Sequence, residues 1–310
     1  MSKRILGMGN AVLDILAEAN EEDLTKNNLK KGTMALVEQE DSDKLLNEID
    51  FIKKDSGGSV ANSIVGLSQL KNNVGFIGKI NNDDFGKKYE DGLKKEKVKF
   101  FYSKKNETIP TGTCLILITP DSERTMCTFL GIAGRINDND IDLEAIKGSD
   151  ITFFEGYLWD EGNPKKAFEK AIKNSNKTAM SLSDKFCVDR HKLSFLNLVK
   201  SYLDITFANE QEFTSLINAK NFDEVINFSK KLDKIIVITR GENGAIAIKG
   251  NEIVECDVQK NLKIVDLTGA GDLFAAGFLH GYINKLSLKE CLEKGTEMSS
   301  KIIQQIGARL

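Results

Sequence analysis

A short glycine-rich segment near residue 270 has the residue types that phosphoryl transfer needs. It consists of Thr268-Gly269-Ala270-Gly271-Asp272 and leads into a predicted helix, Asp272–Asn284. Glycines leave the backbone N–H groups at a helix start open to an anion, and the positive end of the helix dipole favours negative charge there. A carboxylate beside that site would repel phosphate, so we expect Asp272 to accept the proton of an attacking hydroxyl. A glycine turn with an acidic helix cap is the alternative.

Two segments in the first quarter of the chain could hold a polar ligand. In Gly7-Met8-Gly9-Asn10-Ala11-Val12-Leu13-Asp14, Val12 replaces the third glycine of a dinucleotide fingerprint and an extended segment follows, which disfavours a nicotinamide site. Asp14 could accept from two adjacent hydroxyls, or it is a surface residue at a strand end. In Ser56-Gly57-Gly58-Ser59-Val60-Ala61-Asn62-Ser63 the glycines allow close backbone approach, and Asn62 offers a donor and an acceptor. A plain glycine-rich helix start is the alternative.

Two later segments follow predicted strands and have local structural explanations. Asn209-Glu210-Gln211-Glu212 has the spacing of a helix capping box. Thr239-Arg240-Gly241-Glu242-Asn243-Gly244-Ala245 contains Asn-Gly, which favours a hairpin turn. Neither explanation prevents these residues from contacting a ligand as well. The chain has no Gly-x-x-x-x-Gly-Lys-Ser/Thr loop, so a P-loop nucleotide site is disfavoured.

Composition narrows the functional classes. The 310 residues are 41% hydrophobic and 29% charged, with a net charge of −3, and no basic excess or long apolar run indicates a nucleic-acid or membrane partner. The N-terminus enters a predicted strand directly, so we expect no signal peptide. Five dispersed cysteines are typical of reduced thiols in the cytoplasm, and two histidines argue against histidine-based metal sites or triads.

Short apolar runs alternate with amphipathic segments, which predicts an α/β fold with a mostly parallel sheet. The predicted strands are Ile5–Met8, Val74–Ile77, Ile151–Phe154, Ala179–Leu182, Ile205–Ala208, Ile235–Thr239 and Ala245–Ile248, with a further strand ending at Ile264 and Val265. The other predicted helices are Ser59–Gln69, Pro164–Asn174, Asp189–Ser201, Glu210–Ile217, Phe222–Leu232 and Leu288–Ile306.

Residues 12–38 and 98–132 interrupt this alternation and predict a small β lid over the sheet. The first contains extended pieces at Asp14–Ala19 and Thr33–Val37. The second contains Thr113–Thr119 and Thr125–Leu130, joined by Pro120-Asp121-Ser122-Glu123, where proline and aspartate favour a turn.

These segments together resemble the ribokinase-like (PfkB) carbohydrate and nucleoside kinases. The Gly57-Gly58-x-x-x-Asn62 pattern, continuing to Gly78–Gly86, resembles the family's first signature, and the segment around Asp272 resembles its second. The motifs occur in the family's order across nearly the whole chain. The resemblance implies one domain, 1–310, with a doubly wound, mostly parallel sheet, helices on both faces and a β lid. It implies ATP and Mg²⁺ as cofactors and a monomer or homodimer.

The resemblance also implies a role for each site residue. The catalytic set is Asp272 as base, Gly269, Ala270 and Gly271 as anion hole, and Arg124, whose alternative is a solvated turn arginine. The acceptor would be bound by Asn10, Asp14, Gly57, Gly58, Asn62 and Tyr157, and ATP by Asn209, Thr239, Gly241, Gly244 and Thr268. Asn209 and Glu212 would order Mg²⁺ through water, since Mg²⁺ takes few protein ligands. Asp266 and Thr268 match ligands of a K⁺ ion, although family members often add ligands beyond the Gly307-Ala308 pair, where this sequence stops at Leu310.

Within the family the chain is most similar to adenosine kinases of the bacterial type. The resemblance rests on Thr111–Cys114, Thr119–Met126, Thr128–Gly131, Gly156–Asp160 and Ile306–Arg309. It implies an apolar base pocket, which a flat nucleobase requires, at Val12, Leu36, Cys114, Met126 and Tyr157, each of which could instead be a core residue. The expected reaction is transfer of phosphate from ATP to the hydroxymethyl group of a nucleoside such as adenosine. A sugar kinase, a nicotinamide dehydrogenase and a non-catalytic nucleoside-binding protein are the alternatives.

Overall fold

A nine-stranded sheet forms the centre of the protein in a computed structural model, which describes residues 3–121, 123–159 and 164–310. A second sheet has five strands. The strands of both sheets are β1 (Arg4–Met8), β2 (Val12–Glu18), β3 (Met34–Leu36), β4 (Phe51–Ser56), β5 (Asn73–Ile77), β6 (Lys99–Phe100), β7 (Thr111–Ile118), β8 (Arg124–Gly131), β9 (Ile151–Glu155), β10 (Thr178–Ser181), β11 (Ile205–Asn209), β12 (Ile235–Thr239), β13 (Ala245–Lys249) and β14 (Glu252–Cys256).

The helices cover both faces of the large sheet. They are α1 (Glu21–Lys26), α2 (Gln39–Glu48), α3 (Ser59–Gln69), α4 (Asp84–Lys95), α5 (Leu143–Lys147), α6 (Lys165–Asn174), α7 (Lys185–Ser201), α8 (Glu210–Ile217), α9 (Phe222–Lys230), α10 (Ala270–Ile283) and α11 (Leu288–Ile302). Across the described ranges, no helix combines the length and the apolar character needed to cross a bilayer.

The large sheet is parallel except at one edge. Its order is β14-β13-β12-β11-β10-β9-β1-β5-β6, and only β13 pairs antiparallel, with β12 and β14. Successive residues of a strand point to opposite faces. In β12, Ile235 and Val237 join the hydrophobic cluster that contains Phe274 and Phe278 of α10. Ile236, which lies between them, joins the cluster on the other face. The doubly wound α/β class expected from the sequence is therefore confirmed.

The second sheet lies over the carboxyl ends of the large sheet's parallel strands. Its order is β3-β8-β7-β2-β4, with β2 parallel to β7 and antiparallel to β4. Strand β4, Phe51–Ser56, was not expected from the sequence, because its apolar residues Phe51 and Ile52 are exposed and no alternation marks it. Ser122, in the predicted turn between β7 and β8, lies outside the described residues.

Four expectations about elements were wrong. Ile264 and Val265 are exposed and belong to no strand; the amide of Val265 bonds to the carbonyl of Ile303 at the end of α11, so no neighbouring strand holds this segment. Lys99–Phe100, expected in the lid, pairs with β5 in the large sheet. Helix α11 ends at Ile302, four residues early, and α7 begins at Lys185, where the side chain of Asp184 caps it.

Helices α10 and α11 pack closely because glycines line their contact. A Cβ at Gly277 would overlap the carbonyl oxygen of Lys294 and come within 2.8 Å of the Cα of Gly295. A Cβ at Gly281 would lie 3.0 Å from the sulfur of Cys291. This close packing fixes the direction of α10, and therefore the position of its N-terminus.

We expect Gly277→Ala to lower the free energy of unfolding by about 1–3 kcal/mol, because the backbones of two helices must separate to admit the methyl group. Gly271→Ala on the same helix is the matched control, since a Cβ there has no neighbour within 4 Å. It should leave stability unchanged or raise it by up to about 1 kcal/mol. Equilibrium urea unfolding measures both. Equal effects of the two substitutions would show that close helix packing does not determine the stability of this region.

Candidate active site

A cleft of about 470 Å³ lies between the carboxyl ends of the parallel strands and the second sheet. Open parallel sheets bind their ligands at this edge. The strand ends supply its polar wall, at Asn10, Glu155, Ser181, Asn209 and Thr239. The second sheet supplies an apolar wall of Val12, Met34, Leu36, Cys114, Ile116, Met126 and Leu130.

Asp272 is held at the start of α10 by side chains from the start of α3. Its Oδ1 accepts from Ser59 Oγ at 2.6 Å and its Oδ2 accepts from Asn62 Nδ2 at 3.1 Å. Its backbone carbonyl accepts from Ser63 Oγ at 2.9 Å. The N-termini of two helices therefore meet at one carboxylate, and the carboxylate has a fixed orientation in the cleft.

The anion turn, residues 268–272, has the backbone expected of a ligand loop. Gly269 caps α10 with a φ of +77°, and a Cβ there would come within 2.8 Å of the Cα of Ala308, so glycine is required. A Cβ at Gly271 would have no neighbour within 4 Å, so the backbone is open there. The amide of Ala270 already donates to the carbonyl of Leu267, which leaves less anion-binding capacity at Ala270 than the sequence suggested.

Burial raises the pKa of Asp272 to about 6, against the opposing effects of the bonds from Ser59 and Asn62 and the charge of Arg309. The helix dipole by itself favours the charged carboxylate. With a pKa near 6 it is still mostly ionised at pH 7. It is also more basic than an ordinary aspartate.

Asp14 faces the same cleft from β2. A Cβ at Gly57 would overlap its carboxylate, and Gly58 has a φ of +96° that brings it against the carbonyl oxygen of Asn10. The acceptor turn, residues 56–59, thus needs both glycines to lie against Asp14 and Asn10. Burial raises the pKa of Asp14 to about 7, opposed by Arg309 and assisted by Asp55.

Asn10 is 3% exposed, and neither polar atom of its side-chain amide makes a hydrogen bond of good geometry to any described residue, although the amide lies near enough to Glu155 to lower the pKa of that carboxyl. A buried polar group without a partner costs about 1–3 kcal/mol. Because Asn10 lines the cleft, a ligand hydroxyl or ring nitrogen would remove that cost. This amide is the clearest sign that the cleft binds a polar molecule.

Asn209 and Glu212 form the capping box of α8 and also line the cleft. Asn209 Oδ1 accepts from the Glu212 amide at 2.8 Å, and the Glu212 carboxylate accepts from the amide and Nδ2 of Asn209 at 3.0 and 2.6 Å. Burial raises the pKa of Glu212 to about 7. The side-chain oxygens of Asn209 and Glu212 suit a hydrated Mg²⁺, which takes few protein ligands. A nearby cation would favour the ionised form of the Glu212 carboxylate.

The segment after β12 divides between the cleft and a turn. Thr239 lines the cleft. Gly241 and Gly244 both have positive φ and lie in the connection to β13, and a Cβ at Gly244 would overlap the carbonyl oxygen of Cys256. The hairpin expected from Asn243-Gly244 is present, and the two glycines are not part of the cleft wall.

Arg124 is 9% exposed, not solvated, and its Nη2 lies 2.7 Å from Asp266 Oδ2. It also donates to Thr268 Oγ1 at 3.3 Å, which places its charge beside the anion turn. Asp266 further accepts from the amides of Thr268 and Gly307 at 3.0 and 2.8 Å. A carboxylate with these partners does not fit a K⁺ ligand, since the guanidinium would repel the ion, and we assign K⁺ no role.

The apolar wall contains the residues expected around a nucleobase. Val12, Leu36, Cys114, Met126 and Tyr157 all line the cleft. Tyr157 Oη donates to Asp184 Oδ2 at 3.0 Å, and the Tyr157 amide donates to Ser183 Oγ at 3.1 Å, so the ring is fixed. Leu36 is 47% exposed although it is apolar, because it faces the cleft rather than a core. Asp160, at the end of the motif that begins at Gly156, lies outside the described residues.

Glu155 and Arg309 belong to the site but were assigned no role from the sequence. Glu155 ends β9, and its carboxylate accepts from the amides of Asn10 and Val60 at 3.2 and 2.9 Å. A Cβ at Gly9 would overlap that carboxylate, which explains this glycine without a dinucleotide. A charged residue that ends a buried strand was the available signal. Arg309 Nε donates to Asn62 Oδ1 at 3.1 Å across 247 positions, and no local pattern could reveal that contact.

The chain was compared with protein families and with known proteins. The model of the pfkB family carbohydrate kinases matches residues 26–310. Adenosine kinase of Saccharomyces cerevisiae is 25% identical over 331 residues, with 99% of this chain and 96% of that protein covered. A 5-dehydro-2-deoxygluconokinase of Clostridium botulinum is 27% identical, with 85% and 82% covered. The crystal structure of adenosine kinase from Sinorhizobium meliloti superposes with a TM-score of 0.92, 34% identity and coverage of 100% and 96%.

Proposed function

Because the chain belongs to the pfkB family of carbohydrate kinases and is an ATP-dependent kinase that acts on a hydroxyl group, we propose that its acceptor is a nucleoside, with adenosine as the preferred one. The product would be the nucleoside 5′-monophosphate. The five cysteines are buried and free, which fits the expected cytoplasmic location.

The observation that carries the proposal is the fixed Asp272 carboxylate within a cleft that has one polar and one apolar wall. The acceptor oxygen attacks the γ-phosphorus of ATP, the bond to the β-phosphate oxygen breaks, and ADP leaves. Asp272 takes the hydroxyl proton as the new O–P bond forms, because the hydroxyl becomes acidic only then. Its two hydrogen bonds, from Ser59 and Asn62, keep one face of the carboxylate toward the acceptor.

The polar groups of the cleft, which come from both sheets, suit a ribose. Asp14 is a buried carboxylate that can accept from two neighbouring hydroxyls, and the unpartnered amide of Asn10 can add a donor and an acceptor. Gly57 and Gly58 allow the acceptor to approach the backbone. Tyr157 and the apolar residues of the second sheet would hold the base. A sugar without a base would leave this apolar surface uncovered.

The transferring phosphate would lie at the anion turn. The backbone of Gly269 and Gly271 and the positive end of α10 favour its charge, and Arg124 would stabilise the charge that develops in the transition state. ATP would extend past Thr239 and Asn209, with Gly241 and Gly244 shaping the turn nearby. Mg²⁺ held by Glu212 and Asn209 through water would neutralise the phosphate charge.

We also propose that the second sheet is a lid that closes on the bound acceptor. Its support is the set of apolar side chains, Leu36 among them, that face the cleft and remain partly exposed. Closure would exclude water and limit hydrolysis of ATP. Hydrogen exchange in β2, β3, β7 and β8 should slow by on the order of tenfold under saturating adenosine. Unchanged exchange there, with protection elsewhere in the cleft, would contradict closure.

The substrate assignment is tested by coupled ADP release with adenosine, other nucleosides, ribose, fructose and 5-dehydro-2-deoxygluconate. We expect kcat/KM for adenosine to exceed that for each sugar by on the order of 100-fold, because only the nucleoside fills the apolar wall. Asp14→Ala should lower kcat/KM for adenosine by on the order of 100-fold, since the ribose hydroxyls lose a charged acceptor. Efficient turnover of a sugar with none of adenosine would overturn the acceptor but not the kinase.

Asp272→Asn keeps the shape of the side chain and removes the negative charge that lets the carboxylate accept a proton. Turnover should fall by on the order of 10²–10⁴-fold, while the Kd values for adenosine and ATP change less than about threefold. Stability at pH 7.5 should be equal or higher, because burial disfavours the carboxylate charge. The exposed Asp91→Asn in α4 is the control for the substitution itself. Near-parental turnover in a folded Asp272→Asn protein would remove Asp272 from the mechanism.

A further inference from the structure

Residues 307–309 connect the two turns of the candidate active site. The amide of Gly307 donates to Asp266 Oδ2 at 2.8 Å, and Ala308 packs against Gly269 of the anion turn. Arg309 then reaches the acceptor turn, where its Nη1 donates to Ser56 Oγ at 2.8 Å. The backbone carbonyl of Arg309 is itself held, because Gln305 Nε2 donates to it at 2.7 Å.

The contact of Arg309 with Asn62 decides which end of the Asn62 amide faces Asp272. Arg309 Nε donates to Asn62 Oδ1 at 3.1 Å, so the amide must present Nδ2 to the Asp272 carboxylate. The reversed amide would place an oxygen against a carboxylate, and a guanidinium against an NH₂ group. Both contacts would be repulsive, so Arg309 fixes the orientation of the hydrogen bond that holds the proposed base.

The charge of Arg309 lies among buried acidic groups. It opposes the rise in pKa that burial causes at both Asp14 and Asp272. Its Nη2 is buried without a hydrogen bond to any described residue, so one donor remains for an acceptor oxygen. The titratable and charged groups that face this arrangement from the surrounding elements are Asp14, Asp55, Tyr89, Arg124, Glu155 and Asp272.

We propose that Arg309 is a positioning residue for phosphoryl transfer: its guanidinium orients the Asn62 amide toward Asp272 and supplies the positive charge that the buried carboxylates of the cleft require. This inference rests on the proposed function of Asp272 as the base. It does not depend on the identity of the acceptor, because nucleoside and sugar would meet the same carboxylate.

The test is the pH dependence of kcat in Arg309→Gln, with the acceptor that the parent protein uses best. Without the guanidinium the pKa of Asp272 rises further, and the base must be ionised to act. The acidic limb should therefore move up by about one pH unit, so that turnover falls about fivefold at pH 6, approaches a fall of about tenfold at lower pH, and falls less than about threefold at pH 9. Arg309→Lys, which keeps the charge, should return the limb to within about half a unit of the parent.

Lys301→Gln is the matched control, because it removes one positive charge from the exposed end of α11, where Lys301 pairs with Glu297 at 2.6 Å. Its profile should equal that of the parent. A profile of Arg309→Gln that coincides with the parent, or that is lower by one constant factor at every pH, would overturn the proposal. A constant factor would show only a structural role.

A second measurement needs no turnover and separates this inference from the proposed function. A buried carboxyl group with a raised pKa binds its proton more tightly in the folded state, so its contribution to stability is lost as pH rises from about 4 to above 7. The free energy of unfolding of Arg309→Gln should fall more steeply over that range than that of the parent or Lys301→Gln. Equal slopes would overturn the role of Arg309, whereas a parent that phosphorylates a sugar and no nucleoside would overturn the proposed acceptor and leave the role of Arg309 in place.

Discussion

The meeting of α3 and α10 at the Asp272 carboxylate is the constraint on which the rest of the site depends. Two helix starts bring two positive dipole ends to one place, and a carboxylate is the group that this field stabilises. Ser59, Asn62 and Ser63 join the helices there through hydrogen bonds of 2.6, 3.1 and 2.9 Å. The glycine contact between α10 and α11 is needed because a shift of α10 would move the carboxylate.

Burial and charge oppose each other throughout the cleft. Asp14, Glu155 and Glu212 each have a pKa raised to about 7 by burial, and that of Asp272 is raised to about 6. So many acidic groups disfavour the folded state as pH rises, and stability alone would not select them. Arginines on opposite sides limit this cost: Arg124 lies beside the anion turn, and Arg309 lies beside the acceptor turn.

The large sheet was predictable because its strands are buried on both faces. Continuous apolar runs such as Ile235–Thr239 mark such strands, and the seven predicted runs begin and end within one residue of the observed strands. Strand β4 was missed because its residues are mostly exposed, and Ile264 and Val265 were misplaced because β-branched residues do not by themselves provide a neighbouring strand. Whether each of these segments forms a strand depends on a neighbouring strand with which it can pair, and not on its residue composition.

The same difference between local and distant signals explains which residues of the site could be predicted from the sequence. Glycine turns next to helix starts identified Asp272, Gly57 and Gly58, since that chemistry lies within a few adjacent residues. Arg309 has partners 247 and 253 positions away, and the partners of Glu155 are 95 and 145 positions away, so only the folded chain shows what they contact. The motif therefore identifies the group that reacts, while the residues that set its orientation and ionisation come from the start of α3 and from a distant segment. Two chains can share the motif and still differ in how basic the reacting carboxylate is.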